Sequence, residues 1–92
     1  MFFEWDQKKN WLNIVKHGIS FEDAVHIFNS FHLTFIDSRK DYNEVRKISI
    51  GQIVETLIVV VVHTDRRDHI RVISARRANE KERSRYHEIV EE

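Results

Sequence analysis

The chain has 92 residues, 41% hydrophobic and 33% charged, with 15 Lys+Arg against 15 Asp+Glu. That length holds one core and not two, since a domain of this size buries only about 60 to 65% of its unfolded surface, and the composition excludes a disordered chain. The absence of cysteine excludes a disulfide framework and thiolate chemistry and makes a reducing cytoplasm the expected compartment, while the longest aliphatic run, LIVVVV at 57–62, is far below the roughly 18 residues of a membrane span.

The start, MFFEWDQKKN, carries charge and no apolar h-region, so no signal peptide is expected, and FFEW has the composition of a short strand. Asp6 stands where its carboxylate caps a helix over residues 7–16. Gly18 supplies the left-handed position after that helix, with Ile19 packing back on Ile14. Ser20 opens a second helix, in which Phe21, Ala24, Val25 and Phe28 form one apolar stripe at i, i+3, i+4 and i+7.

From His32 the period changes to two. HLTFID alternates in part, VRKISI puts Arg46, Ile48 and Ile50 on one face, and TLIVVVVHT is so rich in β-branched residues that it reads as a central strand covered on both sides. HIRVISARR is a further strand. The connections DSRKDYNE, 51–56 around Gly51, and DRRD at 65–68 are short enough for an antiparallel meander. Asn79 and Glu82 have capping-box spacing, which predicts a third helix over 80–90. The expected fold class is α+β, a single domain over residues 1–92: two N-terminal helices packed on a small antiparallel β-sheet of three to five strands, followed by a C-terminal helix.

Zero net charge hides an asymmetry. Residues 1–65 carry seven Lys+Arg against nine acids, residues 66–85 carry eight against three, or +5, and residues 86–92 carry three acids and no Lys or Arg. Only the middle block has anion-binding character. None of the six histidines has metal-ligand spacing, so no metal or cofactor is expected; no nucleophile elbow or glycine-rich phosphate loop is present, and Ser74 falls inside a strand.

The arginines remain. Alternation along the last strand puts Arg71, Ile73, Ala75 and Arg77 on one face and Ile70, Val72, Ser74 and Arg76 on the other. Guanidinium is a planar, permanently charged fork, suited to an RNA backbone or to a phosphorane-like transition state. Arg83, one turn past the helix cap, is placed to join that patch. The same spacing also fits a purely structural, salt-bridged strand end, in which Arg76 and Arg77 pair with Glu80 or Glu82 and with the acidic tail. Among titratable groups, His17 ends the first helix, where the dipole favours a cation, and His63 ends the central strand on the face of Leu57, Val59 and Val61.

Glu4-Trp5-Asp6, Lys16-His17-Gly18, Phe21-Glu22-Asp23-Ala24, a β-branched strand, and Ser74-Ala75-Arg76-Arg77-Ala78 with Glu82, Arg83 and Tyr86 occur in this order over residues 3–87. Together they resemble the BrnT toxin family. The resemblance implies a RelE/ParE-like fold, a ribonuclease toxin that inhibits translation, and a BrnA-type antitoxin with a ribbon-helix-helix part that neutralises the toxin and, in complex with it, binds operator DNA.

The reading is then a cytoplasmic, metal-independent endoribonuclease in which the ribose 2′-OH attacks the adjacent phosphate. Arg76 and Arg77 are the candidates for charge stabilisation, with His63, His17 and Tyr86 as candidates for proton transfer and Glu44 as a further base. Lys16, Arg46, Arg71 and Arg83 are the candidates for binding RNA phosphates. The alternative is a non-enzymatic module whose arginines serve a protein or nucleic-acid interface.

Overall fold

The computed structural model describes residues 2–54 and 56–91. In chain order the elements are β1 (Phe2–Glu4), α1 (Gln7–His17), α2 (Phe21–Ala24), a 3-10 turn (Val25–Asn29), β2 (His32–Ile36), β3 (Lys47–Val54), β4 (Leu57–Asp65), β5 (His69–Arg77) and α3 (Glu80–Val90). The strands form one sheet in the order β1-β5-β4-β3-β2. β2 to β5 make the expected antiparallel meander, with β4 in the middle. β1, however, pairs with β5 in parallel, so the sheet is mixed. The whole meander separates these two strands, and no hairpin dictates their direction.

Both sheet faces are covered. Ile19, Phe21, Ala24 and Ile27 pack on Val59, Val61, Val72 and Ala75, whereas Ala78 and Tyr86 pack with Ile50, Ile58 and Val60 on the opposite side. Consecutive β4 residues therefore enter different clusters, and a run with no polar side suits that position. Amide exchange should be slowest here: residues 57–62 are expected to exchange far more slowly than the loop at 38–43, and equal rates would place the core elsewhere.

Several local expectations give way to longer-range packing. The second helix holds α geometry for one turn only and then tightens to 3-10. That winding has three residues per turn, so Phe21, Ala24 and Ile27 line up on the core, each 0% exposed, and Val25 and Phe28 are only partly buried. Ile19 enters the core while Ile14 stays 41% exposed. Gly51 lies inside β3 and not in a turn. A Cβ there would come 2.7 Å from Ile27 Cβ, so glycine lets the 3-10 turn approach the strand. The β3–β4 turn falls later, and residue 55 within it lies outside the described residues.

A β-bulge changes the facing of β5. Val62 pairs with Ser74 but His63 pairs with Val72, leaving Ile73 as the extra residue. Val72 and Ala75 consequently enter the same cluster. The strict alternation expected for Arg71 and Arg77 is broken, and the two point to opposite faces.

α1 is fastened by polar groups. The register of β1 ends at the Glu4–Arg71 pair, leaving the outer edge of β5 bare beyond it. Asn13 fills that place: its Nδ2 donates to Ala75 O at 2.8 Å and to Ile19 O at 2.9 Å, and its Oδ1 accepts from Ala75 N at 3.2 Å. One side-chain amide thus substitutes for a neighbouring strand. Asn10 Oδ1 likewise accepts from Phe21 N at 2.8 Å.

Candidate functional site: a basic corner at the end of β5

β5 hands over to α3 within two residues. Asn79 Oδ1 accepts from Glu82 N at 2.8 Å and Glu82 Oε1 accepts from Asn79 N at 2.9 Å, completing the capping box that was expected from the spacing. Arg76 donates to both oxygens of Glu82, at 2.8 and 2.9 Å. This hydrogen-bonded pairing holds Glu82 below the usual carboxylate range and raises Arg76, so both stay ionised at neutral pH. Arg76 is thereby committed to the strand–helix junction.

Arg77, its neighbour, faces the other way and is exposed. Among the described residues its side chain has no hydrogen bond or ion pair. Arg83 Nη1 reaches Ala78 O at 3.4 Å, which places its guanidinium over the same corner. α1 leads toward this end as well. Glu4 stands beside Arg71 and Asn13 beside Ala75, so the next helical turn, about 5 Å, carries Lys16 and His17 in the direction of Arg77. Both are at the helix C-terminus, where positive charge is favoured.

The other nominated residues do not converge here. Arg71 lies roughly 20 Å back along β5 from Arg77 at strand rise, 3.4 Å from Glu4. Arg46 precedes β3 at that same far end, paired with Glu44 at 3.2 Å and stacked 3.9 Å from the Tyr42 ring centre. Glu44 also faces Arg66 at 3.6 Å, so it sits between two cations. The +5 block is therefore split between the two ends of the sheet, because β5 is long enough to separate its arginines. Arg85, also from that block, stacks 4.7 Å from the centre of Phe35. Tyr86 is 4% exposed on the α3 face, its hydroxyl 3.4 Å from Phe31 O.

His63 is on the predicted face but is 2% exposed. Its Nε2 is 2.7 Å from Ser49 Oγ, which is 2.8 Å from Thr34 Oγ1, and its ring stands edge-on to Phe28. Nδ1 lies 3.4 Å from Asp65 Oδ1 without hydrogen-bond geometry and is otherwise unsatisfied. Burial outweighs the carboxylate and pushes His63 below its ordinary 6.5. The folded chain therefore holds fewer protons at this group than the unfolded chain, and His63 costs stability as the pH falls below about 6.5. In denaturant titrations His63→Gln should lose less stability than the parent between about pH 7.5 and about pH 5.5; equal losses would mean that His63 is not the buried neutral group.

Among the described residues no cluster of three or more His, Asp or Glu is arranged to hold a metal ion, and no helix is long and apolar enough to cross a membrane. Asn13 was missed by the sequence reading, whereas both roles of Glu82, in the capping box and opposite Arg76, were among its alternatives. The signal for Asn13 was available: Asn10 and Asn13 lie on the helix side opposite Trp11 and Val15.

A five-stranded sheet with packed clusters on both faces, and cations where its last long strand hands over to a capped helix, defines a small α+β domain with a basic corner. The chain belongs to the family of ribonuclease toxins, BrnT, of type II toxin-antitoxin systems, whose model matches residues 5–82. Its structure is similar to the crystal structure of the Brucella abortus ribonuclease toxin BrnT, with a TM-score of 0.65 and 28% sequence identity over 87% of this chain and 100% of that one. No curated protein matches the chain.

Proposed function

We propose that this toxin is a metal-independent endoribonuclease of the cytoplasm that inhibits translation, with Arg77 as the residue that meets the scissile phosphate. The observation that carries the reading is the exposed Arg77, free of side-chain partners among the described residues, at the end of β5 next to Ala78, whose carbonyl Arg83 reaches. In the reaction the ribose 2′-oxygen bonds to the adjacent phosphorus and the P–O5′ bond breaks. The 2′-OH proton leaves to a base, O5′ gains a proton, and the extra negative charge falls on the non-bridging oxygens. A forked guanidinium fixed in place stabilises that charge. Arg83 and Lys16 hold neighbouring phosphates, and His17, at the C-terminus of α1, is the proton-transfer candidate on that side. A ribbon-helix-helix antitoxin of the BrnA type neutralises the toxin, and operator DNA is reached only through that complex.

Single-stranded RNA incubated with the purified chain in excess chelator should be cut to fragments with 2′,3′-cyclic phosphate ends. Fragments ending in 3′-OH would refute attack by the 2′-oxygen, and activity restored only by a divalent ion would refute metal independence. RNA left whole under every salt condition would favour the non-catalytic binding module.

A further inference from the structure

α1 is built inside out. Its buried positions are Asn10 and Asn13, and its apolar residues face solvent: Trp11 is 64% exposed, Leu12 50%, Ile14 41% and Val15 67%. At 100° per residue Lys8, Trp11 and Val15 form the middle of the outward face, with Leu12 beside them and Lys9 and Lys16 along the Leu12 flank. No acidic residue lies between Gln7 and His17. Single exposed apolar side chains are ordinary, but four within five positions of one helix form a contiguous patch. The asparagines explain how it persists. Hydrogen bonds to Phe21 N, Ile19 O and Ala75 fasten the helix, so its apolar face is released from the core.

We infer that this outward face of α1 is the docking surface for an amphipathic, acid-rimmed helix of the cognate antitoxin. The inference rests on the proposed antitoxin partnership and adds the surface to it. Charge selects the occupant. A second copy of this chain would bring Lys8, Lys9 and Lys16 against the same three cations, whereas a helix with glutamates or aspartates beside its apolar stripe meets them with opposite charge. The place also serves inhibition. Lys16 belongs both to the patch and to the end of α1 that leads toward Arg77, so a helix laid along α1 extends over the basic corner and keeps RNA from it.

The test is to co-express the toxin with the small reading frame beside its own gene and to measure the affinity of the purified pair, using Trp11→Glu and Val15→Glu singly and together. These side chains are exposed, so circular dichroism and RNA cleavage by the free toxin should be unchanged, while the double variant should bind at least about 100-fold more weakly. Raising salt should weaken the parent complex about 10-fold and act little on the double variant's residual binding. Affinity within about two-fold of the parent would show that the partner docks elsewhere. A parent toxin that forms no complex with that product overturns the partnership and this surface together. Self-association of the parent that Trp11→Glu abolishes would assign the patch to a second copy instead.

Discussion

Arg77→Lys should slow RNA cleavage by about 10- to 1000-fold, the range for loss of one well-placed oxyanion donor, with the melting temperature almost unchanged. Lysine keeps the charge and loses the planar fork, and at an exposed position with no side-chain partner nothing in the fold depends on the guanidinium. Arg76 makes the contrast. Its replacement by alanine removes a two-point ion pair and leaves Glu82, side chain 23% exposed, without its cation. Arg76→Ala should therefore lower stability by about 1 to 2 kcal/mol, the scale of a charge-assisted pair that is partly screened by solvent. Wild-type cleavage by Arg77→Lys would remove Arg77 from the site. Unfolding of that variant would make the residue structural, as in the salt-bridged strand end that the sequence equally allowed.

The largest stability effect is expected at Asn13. Asn13→Ala strips the partner from Ala75 O, Ala75 N and Ile19 O, all in a buried setting where water is excluded. Each orphaned backbone group costs about 1 to 3 kcal/mol, so a loss of about 3 to 5 kcal/mol is expected by chemical denaturation, a large part of the about 5 to 15 kcal/mol that holds a domain together. Asn13→Leu, which matches the shape, should not restore it, because the missing quantity is hydrogen bonding and not volume. Trp11→Gln, one face away, should cost under about 0.5 kcal/mol. A loss below about 1 kcal/mol for Asn13→Ala would mean that the edge of β5 finds another partner.

The sequence by itself determined what is decided within one helical turn or by a single continuous run. Asp6 caps α1 by accepting from Lys8 N and Lys9 N, Gly18 takes φ 72°, Ser20 accepts from Asp23 N, and Asn79 with Glu82 forms its box. Each of these bonds joins residues two to four apart, so spacing alone carries the information. LIVVVV occupies the middle of the sheet for a similar reason, since such a run has no side to give to water. The tertiary structure decided the rest, because it turns on residues far apart in the chain. The bulge opposite His63 reverses the facing of β5, the close approach of Ile27 moves Gly51 out of its expected turn, and the early end of β1 leaves an edge for Asn13 to fill. Those same long-range placements separate Arg71 and Arg46 from Arg77 and bury His63, while Arg76 takes the Glu82 partner that the sequence had offered as one alternative. Residue type alone marked the arginines as phosphate binders, but which one is free to bind depends on where the neighbouring carboxylate lands.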